Sequence, residues 1–565
     1  MKSVRTTIIL SLFLIVSFLA LSGRCFYLQY YRGDHYAQAS LRQQRAYARR
    51  QPQRGAILDC RGRVLAASNK MQIIFAEPRA IEDAKTTSSE LAPIVDMGAH
   101  EICRLILESH NPGFAKIKTT TDAGECSAAS RIRGIGVESD WRRHYPMGSL
   151  TANVVGFASG DNRGLEGIEL RYDKELSGSA AQNVFFADVR RRPIAPCQQQ
   201  AGDGVLTNGV GIILTIDSTV QQFVRDELMK QYESYQAESA VAVVAEPKTG
   251  AILAMVSLPD FEPADIGTTD PNNFRSRAIT DWYEPGSIIK PVIVALALDA
   301  GVVNRTERIF CENGSYSGKG FGRIGEYREG FGDLTVSEIL IKSSNIGMAK
   351  IGQRLGKDRL HDGLKLFGFG RKTGIELPGE VDGLLRPAGD WTGYSVTRIP
   401  FGQEICVTGM QLVRAFCILA NGGRLVRPFM VRAIVDNDGK ITELNQPPPP
   451  VGYIIRPEVA KWIVTEAMVG VVTDGTGKRA KLDKWQVFGK TGTANIARSD
   501  ARGYSENDFV ASFVAGAPAD DPAIVVLVSI HRPKRALGKG YTGGTVAAPV
   551  AAAIIERTLN YFGVE

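Results

Sequence analysis

The chain has 565 residues, 44% of them hydrophobic and 22% charged, with a formal net charge of +7. That composition is ordinary for a globular protein with buried cores, and the length allows roughly two to four domains. The basic residues are spread thinly and are not gathered with aromatics along one stretch, which argues against a nucleic-acid partner.

In chain order, Lys2 and Arg5 precede an uncharged run, IILSLFLIVSFLALSG, from Ile8 to Gly23. If Arg24 snorkels, the apolar span continues through CFYLQYY and is long enough to cross a bilayer with an aromatic edge. Three readings compete. Ala20 and Ser22 would suit a cleaved signal peptide, although the run is long for one. A lipoprotein signal is spoiled by Arg24, which stands between LSG and Cys25. The expectation is an uncleaved signal anchor, with a cytoplasmic tail at 1–7 and a transmembrane segment at 8–28 of the cytoplasmic membrane. Arg42, Arg45, Arg49, Arg50 and Arg54 follow the span, so charge counting does not set its orientation. Large domains translocate largely regardless of such charges, so the body is placed on the outer side. Those five arginines are expected to form a solvated or membrane-near stretch.

From 29 to 210 the sequence mixes short strand-like runs, such as MQIIFAEP, with Arg-rich and Gly-rich loops, and QQQAGDGVLTNG (198–209) reads as a hinge. Beyond it, 211–565 is expected to be a second domain. GVGIILTID predicts a strand, and STVQQFVRDELMKQYESYQ an amphipathic helix capped by Asp217 or Ser218. SAVAVVAEPKTGAILAMVS (239–257) and DFVASFVAGAPADDPAIVVLVSIH (508–531) predict two hairpins, and TVAAPVAAAIIERTLNYFG a closing helix. Between the hairpins, 285–430 is expected to be mostly helical. Flanking strands that pair into one antiparallel sheet over a helical insert give an α+β fold. Pro447–Pro450 reads as a stiff spacer in a surface loop. The eight cysteines form no C-x-x-C, and the six histidines no H-E-x-x-H, so scattered thiols and no metal or cofactor are expected.

EPGSIIKP (284–291) holds the chain's single S-x-x-K, Ser287 and Lys290. Serine before an apolar run is first of all a helix start. On a helix, positions three apart share a face, so hydroxyl and amine can meet. Serine becomes a nucleophile only when a base takes its proton, and lysine serves as base only if burial or a second cation lowers its pKa. Such a site needs a relay, a second cation and oxyanion donors. S-x-N occurs at Ser343–Asn345 and at Ser505–Asn507; K-T-G occurs at Lys248, Lys372 and Lys490. Alone, Ser343–Asn345 would be a helix N-terminus, and Lys490 a solvated strand-edge charge. Of the three K-T-G copies, only WQVFGKTGTANI predicts an edge strand with Thr491 and Thr493 on one face.

Ser287–Lys290, Ser343–Asn345 and Lys490–Thr493, in that order, form the motif set of penicillin-recognising serine acyltransferases. The whole chain resembles a class B penicillin-binding protein, a membrane-anchored peptidoglycan D,D-transpeptidase. RGAILDCRGRVLA (54–66), RHYPMGSLTANVVGF (143–157) and GLEGIELRYDKELSG (164–178) resemble the family's N-terminal pedestal, the dimerisation-type domain at 29–210. FGFGRKTGIELPGE (367–380), QLVRAFCILANGG (411–423) and VVTDGTGKRA (471–480) resemble its penicillin-binding transpeptidase domain at 211–565. Cys60 departs from the family's usual Arg, which puts local pedestal contacts in doubt. IPFGQEICVTG (399–409) departs where Gly-Tyr-Gly or Gly-Gln-Gly is commoner.

The resemblance implies that Ser287 attacks the carbonyl between the two D-alanines of a stem peptide, with Lys290 as base. Ser343 would relay a proton, Asn345 would hold Lys290 and the substrate amide, and Lys490 would shape the field. Thr491, Gly492 and Thr493 would bind the donor along the edge strand, with Lys490 and the two threonines taking its terminal carboxylate. The backbone N–H groups of Ser287 and Thr493 would form the oxyanion hole. An amine on a second stem peptide would accept the acyl group, and β-lactams would acylate the same serine. Absence of a glycosyltransferase-like domain before the pedestal implies a membrane glycan polymerase of the shape-elongation-division-sporulation (SEDS) type as partner, with other division proteins. IIFAEPRAI and YTGGTVAAP are more like septal members of the family than elongation members, so division is expected over elongation or sporulation. A serine β-lactamase would need a group that activates a deacylating water, and no class A-like Glu-x-x-Leu-Asn stands between Ser343–Asn345 and Lys490–Thr493. A D,D-carboxypeptidase would hand the acyl group to water, and a non-catalytic scaffold or sensor would have lost a motif residue.

Overall fold

The computed structural model describes residues 2–50, 52–179, 181–186, 207–327, 329–445, 452–498 and 503–565. Most of the expected hinge at 198–209, the Pro447–Pro450 run and Cys197 lie outside them. The chain forms two units, one made of residues 1–53 and 178–208, the other of 54–177 and 209–565.

In the first unit an exposed apolar helix covers Val4–Tyr31, with a mean hydropathy of 2.3, and is long enough to cross a membrane. At its end Tyr31 stacks on Tyr27 and meets Tyr30 edge-on, as at an aromatic belt. Strands Arg45–Arg50 and Ala181–Phe186 pair antiparallel in the same unit.

The second unit is mixed α and β, with two large sheets. One runs in the order 441–444, 431–435, 211–214, 57–58, 64–76 and 115–120, with 135–144 also on 64–76. Its single parallel pairing joins Ile57–Leu58 to Ile212–Ile213, so the predicted strand at 211 lies here and not with the hairpins. The other sheet has five antiparallel strands: β1 (Ser239–Ala245), β2 (Ile252–Leu258), β3 (Phe488–Ala497), β4 (Tyr504–Ala517) and β5 (Ile524–His531). Their order is β3-β4-β5-β1-β2, which joins the two predicted hairpins through β5 and β1 and leaves β3 as an edge. Alternate faces of these strands are buried in two different cores, which explains their nearly unbroken apolar sequence. Helix Ser218–Ser234 covers one face; Asp217 is its cap, accepting from the Thr219 N–H at 2.9 Å.

The insert carries a helix at Lys290–Asp299 (α1), apolar on every side and buried on every side except at its last residue, Asp299. Val336–Lys342 (α2) and Asn345–Leu355 (α3) follow. The insert is less helical than expected: 308–310 pairs with 333–335, and 315–318 with 322–325. These hairpins have three- and four-residue strands with exposed alternate positions, too short to register as a period.

One expectation fails. Arg54 is 1% exposed and not solvated. Its Nε meets Glu169 Oε2 at 2.5 Å and its Nη1 meets Asp173 Oδ1 at 2.6 Å, while Arg143 Nε reaches the other Glu169 oxygen at 2.6 Å. The side chains of Arg42, Arg45, Arg49 and Arg50 lie outside the description. Arg54→Ala leaves the buried Glu169 with Arg143 as its remaining cation and should cost about 3 kcal/mol, readable as a lower urea midpoint of the purified protein. Just after Cys60, Arg61 and Arg63 pair with Asp217, and Arg63 also with Asp59, so the departure leaves this corner held.

Candidate active site

Ser287 lies in a tight helical turn, Gly286–Ile289, that runs directly into α1. Pro285 and Pro291 frame the turn, and Gly286 adopts φ +55°, which frees it to reverse direction. As second residue of that turn, Ser287 presents one of the backbone N–H groups that have no acceptor within the helix. One turn on, Lys290 enters the core at 0% exposure.

Ser343 and Asn345 stand at a break between two helices. Ser343 ends α2 in the left-handed region, φ 60°, while Ser344 caps α3 by accepting from the Gly347 N–H at 3.0 Å. The helix-start reading of this string is therefore correct for Ser344, and the break turns Ser343 toward the lysines. Lys290 Nζ donates to Ser343 O at 2.6 Å, to Asn345 Oδ1 at 2.8 Å and to Ser343 Oγ at 3.2 Å. Lys490 Nζ reaches the same Ser343 Oγ at 3.0 Å. One hydroxyl thus lies between two amines. Lys490 is no solvated edge charge, being fully buried on β3.

Two ammonium groups around one hydroxyl, away from water, repel each other and lose hydration. Burial lowers Lys290 to about 7, with Glu326 pulling the other way. Burial and Lys290 together hold Lys490 well below the ordinary lysine range. Near neutrality Lys290 therefore gives up its proton readily.

β3 closes the site from above. Its backbone passes so close to the Ser287 turn that a Cβ on Gly492 would stand 2.7 Å from Ile288 Cγ1 and 3.1 Å from Pro285 O. Thr491 Oγ1 and Thr476 Oγ1 share a hydrogen bond at 2.6 Å, and Thr493 Oγ1 accepts from the Gly543 N–H at 3.1 Å. Ser287, Ser343, Asn345, Thr491 and Thr493 line one cleft of about 720 Å³. The other two K-T-G strings lie elsewhere, at the β1–β2 turn and in the 371–375 loop; Ser505–Asn507 begins β4.

Sequence reasoning missed Glu326. It accepts from Ser344 Oγ at 2.5 Å and from the N–H groups of Asn345 and Ile346 at 2.8 and 3.2 Å, fixing the start of α3. An acid at a helix N-terminus is a recognisable device, but this one arrives from a hairpin 18–20 residues upstream. Thr476 was passed over too, although it stands in the VVTDGTGKRA string.

Two family models match the chain: the penicillin binding protein transpeptidase domain over residues 240–556, and the penicillin-binding protein dimerisation domain over 49–204. The chain therefore belongs to the penicillin-binding protein transpeptidase family. The dimerisation domain followed by the transpeptidase domain is the class B arrangement, and the protein is an enzyme of that class. Stage V sporulation protein D of Bacillus subtilis is 35% identical over 98% of this chain and 85% of its own length. The peptidoglycan D,D-transpeptidase FtsI of Escherichia coli is 30% identical over 91% of this chain and 84% of its own. A crystal structure of penicillin-binding protein 3 from Mycobacterium tuberculosis, complexed with aztreonam, superposes with a TM-score of 0.71 at 25% identity, covering 92% of this chain and 98% of that one.

Proposed function

We propose that the protein cross-links peptidoglycan stem peptides through an acyl-enzyme on Ser287, in septal wall synthesis on the outer side of the cytoplasmic membrane. The observation that carries this reading is Ser343 Oγ, in reach of both buried amines beside the Ser287 turn. Neutral Lys290 takes the Ser287 proton as Oγ bonds to the penultimate D-Ala carbonyl carbon. The N–H groups of Ser287 and Thr493 receive the oxyanion. Ser343 passes the proton to the departing nitrogen, the amide bond breaks, and free D-alanine leaves. Lys490, Thr491 and Thr493 hold the terminal carboxylate, and Asn345 keeps Lys290 aimed. The donor lies along β3 as an added strand, at Gly492. An acceptor amine then attacks the ester, loses its proton through the same groups, and regenerates Ser287. β-Lactams acylate the same hydroxyl and stay.

The YTGGTVAAP tail and IIFAEPRAI support the septal assignment, with a SEDS-type polymerase and other division proteins as partners. Sporulation is the second reading, favoured by the 35% identity to the B. subtilis sporulation protein. Filamentation on depletion during growth supports the first, and a defect confined to spores the second. For the chemistry, labelled penicillin should attach to the tryptic peptide containing Ser287, at one label per chain, and Ser287→Ala should take up none. Label that survives Ser287→Ala refutes the assignment.

A further inference from the structure

The cleft is unlike in charge at its two ends. Near Lys490 and Thr491 stand Lys342, Lys478 and Arg479, the last two on the loop tied to β3 through Thr476. Asp474 and Glu329 accompany them, and Glu326 is committed to the start of α3. At the far end, where Ala497 pairs with Tyr504, the charge facing the cleft among the described residues is the carboxylate of Glu284.

Both Glu284 oxygens have neutral donors. The Tyr504 hydroxyl donates to Oε1 and Oε2 at 3.0 and 2.8 Å, and the Glu404 N–H donates to Oε1 at 2.9 Å. Among the described residues no lysine, arginine or histidine pairs with it. Burial raises its carboxyl above the ordinary range, and the nearby Glu404, already paired with Arg386, adds to the effect. A desolvated carboxylate that faces a binding cleft without a counter-ion gains more from a cation than an exposed one does.

We propose that Glu284 selects donor peptides bearing a primary amine on the side chain of the residue before the two D-alanines. This rests on the transpeptidase reading above. With the terminal carboxylate at Thr491 and Thr493, a donor extended along β3 advances about 3.3 Å per residue toward Asn495. Its third residue from the end then lies about 7 Å along, and a lysine-length side chain laid along the strand reaches about 6 Å further. By the same rise, Thr493 to Ala497 is about 13 Å, so the ammonium arrives beside Glu284. The carboxylate end of the donor meets the cations, and its amine meets the acid.

The test uses the full chain in detergent with synthetic pentapeptides ending in D-Ala-D-Ala, whose third residue is lysine, either free or Nε-acetylated. Released D-alanine gives kcat/KM in the presence of an acceptor amine. The wild type should favour the free amine about tenfold, mostly through KM, and Glu284→Gln should bring the ratio to within about twofold. Tyr504→Phe, which keeps the carboxylate, should keep the preference. A wild type indifferent to acetylation, or a Glu284→Gln variant that still discriminates, overturns the proposal. So does an equal loss on both peptides in Glu284→Gln, which would mark a structural role. If Glu284→Gln fails to take up penicillin, Glu284→Asp decides instead: it must retain a preference. Failure of the wild type itself to be acylated at Ser287 would instead remove the transpeptidase reading.

Discussion

Lys290→Met is expected to slow penicillin acylation about 10³- to 10⁴-fold while raising the thermal midpoint of the protein. The first effect is the loss of the general base, whose contribution in other enzymes reaches this size. The second follows from the amine's position. Unfolded, Lys290 holds its proton up to the ordinary lysine range; folded, burial brings it to about 7. Between those values the unfolded state binds more protons, so stability rises with pH across that window and falls as pH drops toward 7. Methionine fills similar space without a charge to desolvate, and removes that penalty at neutral pH. The wild-type acylation rate should climb with pH through about 7 as the base is freed. Stopped-flow acylation from pH 5.5 to 9 and a thermal scan at pH 7 check both parts. A Lys290→Met enzyme with wild-type rate and the same rising limb would assign the base to another group.

Gly402→Ala is expected to lower acylation about 100-fold with the three motif strings untouched, because small displacements of a reacting group cost rates of that order. Gly402 has φ +86°, and a Cβ there would stand 2.1 Å from Gly286 O and 2.4 Å from Gly286 N. The Gly286 N–H in turn donates to Gly402 O at 3.1 Å. An alanine must push the 285–288 turn away, and Ser287 moves with it. Comparing acylation with the urea midpoint separates the two costs: a loss of rate far exceeding the loss of folded fraction is the expected result. Wild-type acylation would show that the turn absorbs the clash.

Gly402 also marks what the sequence could say. IPFGQEICVTG stood out as a departure from the family's usual string, but nothing in it told which backbone it would touch 116 residues upstream, at Gly286. The groups proposed to react were legible for a chemical reason. Few side chains can do the work of Ser287, Lys290, Ser343, Asn345 and Lys490, and helix and strand geometry restricts their local spacing. The hairpins that make the five-stranded sheet were legible from their apolar runs and turns. Glu326 was not, since its contacts depend on how a Gly-rich hairpin folds back over α3. Arg54 was not, because its partners, Glu169 and Asp173, are 115 and 119 residues away and nothing in its local sequence sets it apart from the arginines before it. Nor was the parallel pairing of 57–58 with 212–213, which has no local turn to announce it.

The edge strand β3 has a consequence for the order in which the protein is made. Ser343 and Lys490, which meet at 3.0 Å, are 147 residues apart, and β3 takes its place in the sheet only through β4 and β5. The helix at 548–562, near the end of the chain, packs on β4, β5 and helix 218–234. A growing polypeptide that already carries the serine and its lysine therefore has neither the second cation nor the overlying strand. The proposed nucleophile therefore stays without these partners until the strands and the helix that follow it have been made and packed.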